Sequence, residues 1–198
     1  MHCGCATQHC GGTDLGIGRW TSSRTLWAAA GVTVLHRRQA LSRRAVVAAL
    51  GLAALPDVLH LVPIALWWLF ADGTLAALRG YAIAVPGQEP GLPPGIQLWS
   101  HHLHCLMHSA PVAGLVTLIM WAAQRAFWIP LLGWWSHIVI DVFTHSADYY
   151  AVPVFYPFTA RGFDGIAWVT PWFMALNYAT LVAVGGWLVL GRRRANGR

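Results

Sequence analysis

The chain has 198 residues, of which 57% are hydrophobic and 10% charged, with a formal net charge of +6. Soluble domains carry about 25% charged residues, so a mean hydropathy of +0.51 excludes an ordinary water-soluble domain and points to a single integral membrane domain. Backbone groups in lipid must be satisfied within their own segment, which favours helices, and the apolar runs are too long for barrel strands. The expected fold is therefore all-α, a polytopic membrane helix bundle with about four transmembrane helices.

In chain order, residues 1–44 read as a flexible tail with a short interfacial helix near 25–36. Three of the four cysteines, Cys3, Cys5 and Cys10, crowd that tail. Their Gly-rich surroundings favour disorder over a soft-metal site or a disulfide framework. Arg37, Arg38, Arg43 and Arg44 then precede the first apolar run, and Arg192, Arg193 and Arg194 follow the last. Flanking apolar spans, these clusters mark cytoplasmic ends rather than a nucleic-acid surface, and they place both termini in the cytoplasm. A membrane-embedded domain is thus expected over 45–190, with a basic tail over 191–198.

The first span, about 45–70, contains L-P-D-V-L-H-L-V-P. Pro56 is expected to kink or restart the helix, leaving Asp57 near a helix start, where the dipole favours a carboxylate. Asp57 and His60 share a face at i, i+3. Residues 71–99 are rich in Gly and Pro and read as a long loop able to cover a site. The stretch W-S-H-H-L-H-C-L-M-H-S opens a second span at about 106–123, with His104 and His108 on one face and His101 roughly aligned. Cys105 points elsewhere and reads as packing. The third span, about 127–143, ends in W-W-S-H-I-V-I-D-V-F-T-H-S-A-D. A loop with Arg161 and Asp164 leads to a last span over 166–190, for which Trp168, Trp172 and Trp187 are expected interface anchors.

His137, Asp141 and His145 are spaced four apart, within about an 80° arc of one helix face, and Asp148 returns to nearly the same angle if the helix continues. Neighbours at i, i+4 can bind one divalent ion, whereas His137 and His145 stand ~12 Å apart along the axis and cannot easily share one. Either two metals flank Asp141 or one histidine stands behind the first ligands. Charged groups inside a bilayer cost ~2.5–3.5 kcal/mol each on the insertion scale, so three aligned ionisable groups imply partners and a function. With alternating spans, Asp57 and His60, His104 and His108, and His137, Asp141 and His145 all fall in the outer half of the membrane. One shared site follows, with Asp57, His60, His104, His108, His137, Asp141 and His145 as candidate ligands and Asp57 and Asp141 as the candidate catalytic acids. This donor set suits Zn(II), or Mn(II) and Fe(II). Metal-assisted hydrolysis of an ester or phosphoester, lipid-like substrates included, is the natural chemistry, and Arg161 can hold a phosphate.

L-P-D-V-L-H, H-C-L-M-H-S and S-H-I-V-I-D-V-F-T-H followed by V-F-Y-P-F, in that order over about 50–165, resemble the membrane-bound metal-dependent hydrolase family, including its bacterial inner-membrane, LexA-regulated type. The H-x-x-x-D helix is also distantly similar to zinc-dependent phospholipase C. The resemblance implies an inner-membrane hydrolase and maps the family's motifs onto Asp57 and His60, His108 with Ser109, and His137, Asp141 and His145. Met107 departs from the Thr or Ser that often precedes the family's histidine. Two competing readings use the same ligands: a non-enzymatic membrane metal-binding or cation-transport protein, and a bis-histidine haem protein. Haem has no use for Asp57 or Asp141.

Overall fold

The computed structural model describes residues 26–35, 41–84, 89–148 and 150–196, with side chains as far as 190. Residues 1–25 of the expected tail with its three cysteines, Arg37 and Arg38, and the side chains of Arg192 to Arg194 lie outside the described residues, whereas the helix Leu26–Leu35 falls on the short helix expected near 25–36. Among the described residues every regular element is a helix: α1 (Leu26–Leu35), α2 (Arg43–Leu59), α3 (Val62–Phe70), α4 (Leu75–Ile83), α5 (Pro94–Met107), α6 (Ala110–Gln124), α7 (Leu131–Thr144) and α8 (Pro171–Asn196). Side-chain oxygens of Ser42, Thr74 and Ser109 accept from the amides of Ala45, Ala77 and Val112 and so start α2, α4 and α6.

Two of the expected spans are broken. α2 and α3 meet at 63°, and so do α5 and α6. Pro56 does not restart the first helix; α2 runs through it to Leu59. The break falls at His60 and Leu61 because Pro63 lacks an amide hydrogen and its ring would meet the Leu59 carbonyl. Asp57 therefore sits in the last turn of a helix rather than near a start. Pro111 acts in the same way on α5, which ends at Met107 and hands over to α6 through His108 and the Ser109 cap. Residues 71–99 are not one loop: α4 lies inside them, and α5 starts at Pro94, twelve residues before the expected second span.

The helix long and apolar enough to cross a membrane is Pro171–Leu190, and up to three spans result if each bent pair counts as one. α7 has 14 residues, ~21 Å at 1.5 Å per residue, short of the ~30 Å hydrocarbon thickness. Trp172 and Trp187 are exposed, but Trp168 is buried at 3% and is not a surface anchor. Its amide donates to Thr144 O.

α2 and α7 form the centre of the packing. A Cβ built on Gly133 would stand 2.0 Å from Ala49 O and 3.2 Å from Ala53 N. The missing side chain thus lets α7 lie directly against the α2 backbone. Ala49, Ala53 and Asp57 line one face of α2 at intervals of four, and Gly133, His137 and Asp141 line the opposing face of α7. Ala113, Leu131, Trp134 and Ile138 form the adjoining core. Two indoles tie α7 to its other neighbours: Trp134 Nε1 donates to Met107 O at 2.6 Å, and Trp135 Nε1 to Thr117 Oγ1 at 3.0 Å. α8 is joined to α1 by a 2.8 Å bond from Trp27 Nε1 to Asn177 Oδ1.

Gly133→Ala should lower the thermal midpoint of the detergent-solubilised protein, by an equivalent of about 1–3 kcal/mol for overpacking. Gly114→Ala, where an added Cβ meets nothing within 4 Å, should be neutral or slightly stabilising. Circular dichroism melts of the two variants beside the parent check this.

Candidate metal centre

Three helix ends converge on one point. α2 ends at Leu59, α5 at Met107 and α7 at Thr144, and each C-terminus carries about −0.5 of an elementary charge. Asp57 and Asp141 lie in the last turns of α2 and α7, where the dipole disfavours a carboxylate. Such a concentration of negative charge suits a cation.

The distances define where the cation belongs. His108 Nε2 stands 3.0 Å from Asp141 Oδ2 and 3.0 Å from His137 Nε2, and His137 Nε2 stands 3.3 Å from Asp141 Oδ2 and 3.7 Å from Asp57 Oδ1. The ligand atoms of Asp57, His108 and His137 all lie within 4.8 Å of one another, so this buried group can hold a metal ion. Ligands ~2.1 Å from one ion are about 3.0–3.4 Å apart in right-angled to tetrahedral arrangements, which matches most of these separations.

The tautomers point the same way. His137 Nδ1 lies 2.8 Å from Ala53 O, and His108 Nδ1 lies 2.8 Å from His104 O. A carbonyl only accepts, so each Nδ1 carries a hydrogen, and a ring in its neutral form presents a lone pair at Nε2. The two Nε2 atoms, 3.0 Å apart and flanked by carboxylate oxygens, are held together by a proton or a cation between them. A single proton leaves the two acids with a net −1, whereas a divalent ion neutralises them. The carbonyl contacts also fix the orientation of each ligand ring, as backbone acceptors commonly do at metal sites.

Three of the expected ligands stand behind this group. His104 stacks on His108 with centroids 4.1 Å apart, and His60 meets His104 edge-on at 5.4 Å. α7 ends before His145, which is extended and turns its Nδ1 to within 3.0 Å of Asp141 O. Asp148, expected to continue the face, is exposed in a turn beyond the helix. Arg161 is exposed on the following loop, its amide bonded to Thr159 Oγ1; among the described residues it makes no contact with the cluster. His101 lies to one side, its Nε2 3.5 Å from the sulfur of the buried Cys105.

The loop after α7 closes over the site, and from residues 71–99 Tyr81 of α4 packs against His60 with ring centroids 6.0 Å apart. Amides of Gly165, Ile166 and Trp168 donate to His145 O, Phe143 O and Thr144 O, taking up the carbonyls left open at the end of α7. Tyr156 bridges to α5 through a 2.6 Å contact of its hydroxyl with His102 Nδ1, and its carbonyl accepts from Ser109 Oγ. Reasoning from ionisable residues missed the small residues Ala49, Ala53 and Gly133. Their signal is present in the sequence: each lies one or two helical turns before Asp57 or His137.

No family model matches the chain, and neither curated proteins nor solved structures provide a significant match.

Chelation should destabilise the protein, by about 2.7 kcal/mol relative to protein held at a free metal concentration of 100 times Kd. Asp57→Asn should melt higher than the parent when both are metal-free, because it removes a carboxylate from a helix C-terminus, and should lose the parent's stabilisation by added metal. Parallel melts with and without chelator read both effects.

Proposed function

We propose that the protein is a multi-pass inner-membrane hydrolase that uses a divalent metal, zinc in the first instance, to cleave an ester or phosphoester, with a lipid-like substrate. The observation that carries this reading is the meeting of two imidazole Nε2 atoms with two carboxylates at the convergence of three helix ends. The resemblance of the Asp57–His60, His108–Ser109 and His137–Asp141–His145 motifs to the membrane-bound metal-dependent hydrolases agrees with it. Membrane embedding is supported by apolar side chains left outside the packing, among them Leu118, Ile119, Val182 and Leu190, each more than half exposed. A four-span arrangement requires the two bent pairs to count as spans and the short α7 to be held between them.

A bound divalent ion lowers the pKa of water and polarises the scissile group. Asp57, His108 and His137 would hold the ion, and Asp141, with its side chain 1% exposed, would balance its charge. Asp57 is 15% exposed and is the acid open to the substrate side; its carboxylate accepts a proton from the attacking water. The water oxygen bonds to the acyl carbon or phosphorus, the ester bond breaks, and Asp57 returns that proton to the departing alkoxide, which leaves as the alcohol. Arg161, on the covering loop, supplies a cation for a substrate phosphate if the loop moves toward the site.

One observation favours a second reading. Both bent pairs break at or beside His60 and His108, and discontinuous helices with polar groups at the break also build cation-transport sites. Purified protein reconstituted in vesicles with Zn(II) or Mn(II) separates the two. Offered chromogenic phosphoesters and acyl esters in mixed micelles, it should show chelator-sensitive turnover that falls about 10²-fold or more in Asp57→Asn. Metal flux into the vesicles without ester cleavage would instead establish transport.

A further inference from the structure

We propose that the chain holds a second divalent cation beside the first, bound by the imidazoles of His60, His104 and His145, with the Asp141 carboxylate shared between the two ions. This rests on the metal-binding reading above and not on hydrolysis.

Four observations lead there. First, the tautomer pattern extends beyond His108 and His137. His60 Nδ1 faces Pro56 O at 3.4 Å, and His145 Nδ1 faces Asp141 O at 3.0 Å. Both carbonyls only accept, so each Nδ1 carries a hydrogen, and Nε2 is the ring nitrogen left to ligate a cation. Second, His104 Nε2 is buried without a hydrogen-bond partner, enclosed by the rings of His60, His108 and Tyr150 at 5.4, 4.1 and 5.1 Å. Leaving such an atom unsatisfied costs about 1–3 kcal/mol, a cost that a ligated cation removes.

Third, His145 is held in place by structure that the first ion does not need. Gly165 N donates to His145 O at 2.8 Å, and a Cβ on Gly165 would come within 2.5 Å of Phe143 O. The covering loop therefore pins the extended conformation that keeps His145 against Asp141. Fourth, the field of three helix C-termini acts on both tiers, because His60 and His108 follow directly on the ends of α2 and α5 and His145 on the end of α7.

The second tier is set more loosely than the first. His60 and His104 have centroids 5.4 Å apart, against 4.9 Å for His108 and His137. Its side chains must close by rotation around an ion, so this site fills second and empties first. With both ions bound, four positive charges face two carboxylates. The net +2 suits an anionic substrate, which selects phosphoesters over neutral acyl esters. A pair of ions can then contact both the attacking and the leaving oxygen of the phosphoryl group.

The test is metal titration of the metal-free full chain in detergent, followed by paramagnetic resonance of the Mn(II)-loaded protein. Two binding steps, two ions per chain and an exchange-coupled Mn(II) spectrum are expected. His60→Ala and His104→Ala should each abolish the weaker step, leave one tightly bound ion and remove the coupling. One ion per chain in the parent overturns the proposal. So do two uncoupled ions, which would place the second elsewhere, and so does an unchanged two-step titration in the His60→Ala/His104→Ala double variant. If that double variant loses its helical circular dichroism, the parent's stoichiometry and coupling decide alone. Two coupled ions without ester cleavage would keep this inference and remove the hydrolase reading; cleavage with one ion would do the reverse.

Discussion

The contact on which the structure depends is made by an absent side chain. Gly133 lets α7 rest on the Ala49 carbonyl of α2, and everything along the two helices follows from that register. One turn on, His137 reaches Ala53 O. One further turn brings the level of Asp57 and Asp141, the two acids on either side of the His137 imidazole. A larger residue at 133 would move each of these pairs apart, because α7 could no longer lie against the α2 backbone. Small residues serve here as they do between transmembrane helices generally, where close backbone approach replaces a hydrophobic driving force.

The helix breaks do the complementary work. A continuous first span would bury Asp57 mid-helix with its neighbours' carbonyls already bonded. Pro63 instead ends α2 just beyond Asp57, and Pro111 helps end α5 at Met107, next to His108. The loop bonds of Gly165, Ile166 and Trp168 finish α7 in the same region. Three negative helix ends and two acids thus share a small volume, with imidazoles whose Nδ1 hydrogens are already committed to backbone oxygens. Each element alone is unfavourable: a carboxylate at a helix C-terminus, two imidazole nitrogens face to face, a buried acid. A cation bound there would make them favourable together, and would couple metal binding to local stability.

Much of the centre was legible in the sequence because helical periodicity is a local rule. The i, i+4 pairing of His137 with Asp141 needed only the pitch of a helix; the convergence of Asp57, His108 and His137 was expected from four alternating spans, whereas by length and composition the described helices give one span, or up to three if each bent pair counts as one. What periodicity could not supply was where helices stop. Periodicity points to Pro56 as the break, but a proline in the last turn of α2 is tolerated, while Pro63, by excluding the Leu59 carbonyl, is not. The helical period was likewise carried through His145 and Asp148, although the bonds that end α7 come from residues some twenty positions later. Residues 71–99 read as a loop from their prolines, yet Thr74 caps α4 and Pro94 begins α5. The spacing of Ala49, Ala53 and Gly133 was visible but carried no chemistry, so it drew no attention until its backbone contacts were seen.

The central claim is that acids and imidazoles from three separated segments surround a metal ion. X-ray absorption at the zinc edge of the purified, zinc-loaded chain tests it most directly. The account predicts nitrogen and oxygen neighbours at about 2.0–2.1 Å with the outer-shell scattering of imidazole rings. A first shell of sulfur at about 2.3 Å, which would place the ion on the N-terminal cysteines, or protein that retains no zinc, would contradict it.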